Sequence, residues 1–183
     1  MRLKEKYKKE VIPALKEKLS LKSVMAIPKI EKVSINVGFG KTVAGKGAGE
    51  RKKVEDYILN SLSLLTGQKP SLRKAKKSIA VFKLREGVSI GALCTLRGKR
   101  MYEFLEKLIY VVIPRVRDFR GLNQKSITKE GDLTIGFKEY TPFPELKIEK
   151  ERTLFGLEVT VQTTAKNKED ALELFRLMGF PIK

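Results

Sequence analysis

Between Gly38 and Gly49 the chain reads Gly-Phe-Gly-Lys-Thr-Val-Ala-Gly-Lys-Gly-Ala-Gly, which comes nearest to a phosphate-cradling loop. The chemistry would be nucleotide hydrolysis. Backbone N–H groups hold the phosphates, a lysine reaches the outer ones and a hydroxyl holds magnesium. The spacing fails at the hydroxyl. Gly40-x-x-x-x-Gly45-Lys46 is followed by Gly47, where Ser or Thr is required. In the other register, Gly40-Lys41-Thr42, the glycine needed five residues earlier is Ile35. A P-loop-like nucleotide hydrolase is therefore the minor alternative, and the glycines read as a flexible crossover. With no His there is no Ser-His-Asp triad, no Cys-His dyad and no His-based metal site. Cys94 is alone and falls on the apolar side of its strand, so it reads as a small buried hydrophobe. Glu169 and Asp170 open a helix, where they favour its dipole. The expectation is a protein that is not an enzyme and needs no cofactor or metal.

What the chain has in excess is positive charge. Lys+Arg number 39 against 21 Asp+Glu, a net +18. A folded basic domain of this kind points to a polyanion, and most often to nucleic acid. The charge is also unevenly placed. From residue 141 onward seven acids balance seven bases, so the whole excess lies in residues 1–140. Solubility alone would not need that asymmetry. Residues 67–87 hold Lys69, Arg73, Lys74, Lys76, Lys77, Lys83 and Arg85 against one acid, Glu86. Such a block is often a solvated loop. Here Ile79, Val81, Phe82 and Leu84 are interleaved, which suits a hairpin arm over about 70–87. Further basic groups are Arg97, Lys99 and Arg100, then the turn Arg115-Val-Arg117-Asp-Phe-Arg120, then Lys125. Arg117 has Asp118 as an alternative partner. No zinc finger, basic zipper, helix-turn-helix or RNP motif is present, and a basic loop suits shaped RNA better than a duplex groove.

The elements that must position these residues follow from periodicity. Leu3, Tyr7, Val11, Leu15 and Leu19 step by four and predict a helix over 4–20, with a kink at Pro13. Residues 29–37 alternate as a strand, with Val33, Ile35 and Val37 on one side and Ser34 and Asn36 on the other. A helix is predicted over 50–65, ended by Gly67 in the left-handed conformation. Residues 88–97 form a strand. Met101, Phe104, Leu105, Leu108, Ile109 and Val112 lie on a helix stopped by Pro114. Leu133–Phe137 and Leu157–Thr164 are strands, and Thr141–Glu145 between them is irregular. Residues 168–178 close the chain as a helix, with Asn167 as N-cap and Asp170 as its capping-box partner. The order predicts one α+β domain over 1–183, two-layered. A mostly antiparallel sheet carries helices on one face, an open polar face opposite and a protruding basic loop. That face carries Ser34, Asn36, Thr95, Thr134, Thr160 and Gln162. Its groups can hydrogen-bond a nucleic acid or simply face water. The apolar runs are too short to cross a bilayer and the N-terminal stretch has no signal-peptide pattern, so a cytoplasmic protein with no membrane partner is expected.

Several strings, in order along nearly the whole chain, carry a resemblance. They are Pro28-Lys-Ile-Glu-Lys-Val-Ser-Ile-Asn36-Val-Gly38, Gly67-Gln-Lys-Pro70, Lys74-Ala-Lys-Lys-Ser78, Phe82-Lys-Leu-Arg-Glu-Gly87, Thr95-Leu-Arg-Gly98 and Ile113-Pro-Arg-Val-Arg-Asp-Phe-Arg-Gly121-Leu. Phe143-Pro-Glu145, Thr163-Thr-Ala165 and Gly179-Phe-Pro181 complete them. Together they resemble the bacterial-type large-subunit ribosomal proteins that bind 5S ribosomal RNA, the L-five family. One string departs. Many members carry Ser-Phe-Asp-Gly-Arg-Gly-Asn-Tyr where this chain has Ser126-Ile-Thr-Lys-Glu-Gly-Asp-Leu133.

The resemblance implies an antiparallel α+β fold and a structural ribosomal component, monomeric within the ribosome and without catalysis. It implies anchoring of 5S RNA in the central protuberance beside neighbouring large-subunit proteins. It also implies contact with 23S RNA, contact with P-site transfer RNA, and a bridge to a small-subunit head protein. By motif, Asn36, Gln68 and Thr95 would face 5S RNA, with Lys69 and Arg97 beside them. Arg73, Lys74, Lys76, Lys77, Ser78, Lys83 and Arg85 would form the arm toward transfer RNA. Arg115, Arg117, Arg120 and Lys125 are candidates for ribosomal-RNA or bridge contacts. The glycine-rich loop is assigned no contact.

Overall fold

Alternation of apolar and polar residues makes five strands: β1 (Ile30–Gly38), β2 (Ser71–Lys74), β3 (Ser89–Leu96), β4 (Leu133–Phe137) and β5 (Leu157–Thr163). A computed structural model describes residues 2–21, 23–146 and 154–183. Of the residues in the charge-balanced tail, Lys147, Glu149, Lys150, Glu151 and Arg152 lie outside them. The strands form one antiparallel sheet in the order β2-β3-β1-β5-β4. Val33, Ile35 and Val37 of β1 are sealed from water, and so are Ala92, Cys94 and Leu96 of β3 and Val159 and Val161 of β5. Their neighbours Asn36, Thr95, Thr134 and Thr160 are exposed or half-buried. One face of β1, β3, β4 and β5 is therefore covered and the other more open, as period-two patterning requires, while β2 is exposed except for half-buried Leu72. The fold is α+β, as the alternation of elements indicated.

The chain divides into two compact units. One comprises Met1–Val33, Leu96–Ile135 and Val159–Lys183; the other comprises Ser34–Thr95 and Gly136–Glu158.

The first unit holds two proline-interrupted helices. α1 (Leu3–Lys6) and α2 (Ile12–Lys18) are joined by a π turn, Tyr7–Val11, in which the Ile12 N–H donates to the Tyr7 carbonyl. Pro13 has no N–H and its ring crowds the preceding turn, so the expected kink takes the form of this wider turn. The widening also explains the sequence pattern. Steps of four overshoot an α-helical turn by about 40°, and the π turn takes up the excess. Leu3, Tyr7, Val11 and Leu15 thus all reach the core. The same device recurs between α5 (Gly98–Lys107) and Pro114. A π turn, Leu108–Val112, sends the Ile113 N–H to the Leu108 carbonyl, and a 3-10 turn, Ile113–Arg115, then carries the helix past the proline. Pro114 therefore tightens the helix end instead of stopping it outright. The last helix of the unit, Lys168–Met178, ends at Gly179 with φ +98°. Asn167 occupies its N-cap position, but the side chain makes no capping hydrogen bond. The reciprocal cap with Asp170 expected from sequence therefore does not form.

Tyr7 links these helices to the start of β1. Its hydroxyl donates to the Pro28 carbonyl at 3.1 Å and its ring lies 6.3 Å from that of Tyr102. Burial, with the neighbouring Tyr102 phenol second, pushes the Tyr7 hydroxyl from 10.0 up to about 12. Below pH 10 the phenol is neutral whether the chain is folded or not. Above it the unfolded chain releases this proton first, so stability falls as pH rises from 10.0 through about 12. Tyr7→Phe is expected to cost about 1 kcal/mol at neutral pH through the lost hydrogen bond and to show a shallower alkaline decline. Denaturant midpoints of both proteins across that window check this; parallel profiles would refute it.

The second unit contains a short helical turn, α3 (Gly40–Val43), and the longest helix, α4 (Ala48–Thr66). The glycine-rich segment is thus not a plain flexible crossover. Phe39 and Val43 anchor it in the core, and the Phe39 N–H donates to the Ile90 carbonyl at 2.9 Å. Gly67 ends α4 at φ +65°, as its position predicted, with its N–H on the Ser63 carbonyl. Tyr140 and Phe143 are fully buried and hold the irregular segment between β4 and β5 in place. Tyr140 stacks 4.7 Å from Phe155, and the Tyr57 hydroxyl donates to the Tyr140 hydroxyl at 3.0 Å.

Candidate nucleic-acid interface

The left-handed turn at Gly67 aims the chain from α4 toward β3. Gln68 follows it, half-buried, and its Nε2 donates to the Thr95 carbonyl at 3.2 Å. Two residues far apart in sequence are thereby fixed side by side. The Thr66 hydroxyl secures the same corner, donating to the Leu62 carbonyl at 2.7 Å and lying 3.2 Å from the Gln68 N–H that it accepts. Lys69 is exposed immediately beyond. Asn36 lies on β1, which neighbours β3 in the sheet, and is exposed on the uncovered face. Arg97, exposed, precedes α5 directly after β3. The turn after α4 joins Gln68 to Thr95, and Asn36 lies on the strand next to that of Thr95.

The rest of the polar face is differently engaged. The Thr134 and Thr160 hydroxyls lie 3.4 Å apart, and Gln162 Nε2 donates to Asp132 Oδ2 at 3.2 Å. Asp132 Oδ1 also accepts from the Thr163 N–H at 3.0 Å. These groups satisfy one another, so this half of the face offers fewer open hydrogen-bonding positions. The divergent loop that contains Asp132 is itself closed by the Thr128 hydroxyl, which accepts from the Asp132 N–H at 3.1 Å.

The basic block does form an arm. β2 pairs antiparallel with β3 through Ser71↔Leu93, Leu72↔Ala92 and Arg73↔Gly91, and a bulge shifts the register before Lys74↔Ser89. Pairing continues past the strand. The Ala75 N–H donates to Val88, and Ile79 and Leu84 exchange hydrogen bonds of 3.0 and 3.2 Å. Ser78 serves the hairpin directly: its hydroxyl accepts from the Glu86 N–H at 2.9 Å. A 3-10 turn, Ala80–Phe82, and Lys83 at φ +49° close the tip. Backbone groups thus do the pairing, and Arg73, Lys74, Lys76, Lys77, Lys83 and Arg85 are all exposed. Val81 and Phe82 at the tip are 85% and 61% exposed, which gives the arm an apolar end between its charges.

Arg115, Arg117, Arg120 and Lys125 are all exposed. Arg115 ends the 3-10 turn after α5, and Lys125 sits in another, Gln124–Ser126, where its N–H donates to Asn123 Oδ1. Asp118 takes φ +53° and, among the described residues, makes no ion pair with Arg117. Sequence reasoning gave the glycine-rich loop no role, yet Gly45 and Lys46 line a cavity of about 640 Å³ with Arg51, Ser78, Lys83 and Arg85. The one sequence signal for this was a lysine between two glycines with an arginine one turn into the next helix. Among the described residues no group of His, Cys, Asp and Glu is arranged to hold a metal ion.

Residues 23–85 match the family described as ribosomal protein L5, and residues 89–182 match the model for the C-terminus of the same ribosomal family. The chain belongs to the ribosomal L5 family. Its relatives align from end to end. The large ribosomal subunit protein uL5 of Halothermothrix orenii is 47% identical over 98% of this chain and 97% of its own length. That of Syntrophomonas wolfei is 46% identical over 100% of this chain and 99% of its own length. The strings that carried the resemblance at Asn36, Gln68 and Thr95 therefore sit in a ribosomal L5-family protein, with Asn36 and Thr95 on its sheet and Gln68 in the turn after α4.

Proposed function

We propose that this L5-family chain is a structural, non-catalytic component of the large ribosomal subunit in the cytoplasm, and that it binds 5S ribosomal RNA. Asn36, Gln68 and Thr95 present hydrogen-bonding groups to the RNA, and Lys69 and Arg97 neutralise phosphates beside them. The observation that carries this reading is the Gln68–Thr95 hydrogen bond, which presets two of the three residues before any RNA arrives. Such pre-organisation lowers the entropic cost of binding. The protein then anchors 5S RNA in the central protuberance among neighbouring large-subunit proteins and touches 23S RNA. The arm of Arg73, Lys74, Lys76, Lys77, Ser78, Lys83 and Arg85 reaches P-site transfer RNA. Arg115, Arg117, Arg120 and Lys125 supply ribosomal-RNA contacts or the bridge to a small-subunit head protein, and their exposure supports this.

A gel-shift competition tests the central claim. Labelled 5S ribosomal RNA bound by the free protein should resist displacement by transfer RNA and by duplex DNA at moderate salt. Equal displacement by all three would leave only non-specific charge and would sink the 5S assignment.

A further inference from the structure

The cavity between the glycine-rich segment and the outer half of the arm is lined by Lys46, Arg51, Lys83 and Arg85, and no carboxylate lines it. Like charges gathered around one space repel unless an anion enters. Arg51 adds a sharper observation. Its Nε is out of reach of water and has no hydrogen-bond partner. A buried guanidinium N–H left unpaired costs about 1–3 kcal/mol or more, so the Arg51 side chain gains from turning toward any anion that enters the cavity. The walls are built to let an anion approach closely. Gly45 takes φ +75°, and a Cβ there would already touch the Lys83 side chain at 4.0 Å. Gly47, the N-cap of α4, places no side chain over the helix start, so the first-turn N–H groups add to the positive potential between Lys46 and Arg51. Glu50, in that same turn, is exposed and does not line the cavity.

We propose that this cavity is a phosphate-binding site, and that the phosphate it takes belongs to an RNA backbone. On binding, the Arg51 guanidinium turns toward the phosphate, with Lys46, Lys83 and Arg85 around it. Free phosphate or a nucleotide offers the same chemistry, but the surroundings favour a polymer. Lys74, Lys76 and Lys77 are exposed on the same hairpin as Lys83 and Arg85, so a strand seated in the cavity finds further positive charge along the arm. This inference rests on the reading of the chain as an RNA binder. It adds the glycine-rich segment to the interface and makes one strand bridge that segment and the arm.

The test has two arms. In the first, binding of 5S ribosomal RNA is followed against salt for the wild type, Arg51→Gln, Lys46→Gln and the control Lys52→Gln, an exposed α4 residue outside the cavity. Arg51→Gln and Lys46→Gln should each weaken binding about ten-fold. Each should also lower the slope of log K against log salt by roughly 0.8, with Lys52→Gln unchanged. Lys46 is exposed, so its variant keeps the test intact if Arg51→Gln fails to fold. Unchanged slopes, or an equal change in Lys52→Gln, would overturn the proposal. In the second arm the Arg51 Nε–H resonance is followed while a mixed-sequence oligoribonucleotide, inorganic phosphate or ATP is added. Saturable movement with the oligoribonucleotide at lower concentration than with the other two is expected. No movement with the oligoribonucleotide, or stronger binding of ATP, would overturn it. This arm does not depend on preference for 5S RNA, so a failed 5S assignment and a failed cavity are told apart.

Discussion

The triple variant Asn36→Ala, Gln68→Ala, Thr95→Ala is expected to bind 5S ribosomal RNA two to three powers of ten more weakly than the wild type. Each lost hydrogen bond at a desolvated interface is worth about 1–1.5 kcal/mol, and a tenfold change is about 1.4 kcal/mol. Three such losses reach that range if the sites act independently. Gln68 and Thr95 do not, because Gln68 Nε2 holds the Thr95 carbonyl. Gln68→Ala would therefore remove a proposed RNA contact and also the hydrogen bond that holds its neighbour. Its single effect should exceed that of Asn36→Ala, whose side chain is exposed on β1. The Cα atoms, the β1–β3 pairing and the sealed residues beneath are untouched, so the thermal midpoint should fall only slightly. Weak binding to transfer RNA and to duplex DNA should persist, since the arm supplies it. A gel-shift series on the three single variants and the triple, with a melting curve for each, checks both halves. A triple variant that still binds 5S RNA within threefold of the wild type would remove the sheet face from the interface.

How much of this was legible beforehand depends on the range of the interactions involved. The strands and the long helices were, because period-two and period-3.6 patterns are local and the core they build is apolar. Val33, Ile35 and Val37 are buried where the alternation put them, and Gly67 caps α4 where its position required. The arm was legible as charge, but its pairing beyond β2 depends on backbone bonds such as Ile79–Leu84, which leave no mark on composition. The π turns ahead of Pro13 and Pro114 were visible only as steps of four and as a proline. That the two are connected shows only in the folded chain. The polar face was half legible. Sequence gives the side of the strand, yet whether a side chain is open or spent on a neighbour is a tertiary fact. Thr134 with Thr160 and Gln162 with Asp132 are spent, and Asn36 is exposed. The cavity at Arg51 was out of reach, because it joins a helix start to a hairpin more than twenty-five residues further along the chain.

Neutralising the arm is expected to have an effect of similar size and different character. Lys74, Lys76, Lys77, Lys83 and Arg85, all changed to Gln, remove five exposed charges, two of which, Lys83 and Arg85, also line the cavity. Each phosphate that is no longer neutralised lowers the salt slope by about 0.7–0.9, so four such phosphates would lower it by roughly three. Transfer-RNA binding by the free protein should fall about a hundredfold or more at physiological salt. The preference for 5S RNA over transfer RNA should rise, since Asn36, Gln68 and Thr95 remain. The fold should hold, because the hairpin is closed by the Ala75–Val88 and Ile79–Leu84 backbone bonds and by the Ser78 hydroxyl on the Glu86 N–H, none of which uses a lysine side chain. Relief of like-charge repulsion should leave the melting temperature equal or slightly higher. Phe82→Ala separates charge from stacking. The ring is exposed at the tip, and an aromatic that stacks on a base contributes about 1–3 kcal/mol without releasing counterions. Its removal should weaken transfer-RNA binding with the salt slope intact. If the charge variant keeps the wild-type slope, the arm does not touch phosphate and the positive excess must act elsewhere on residues 1–140. If Phe82→Ala flattens the slope as the charge variant does, the tip orders the arm and does not touch a base.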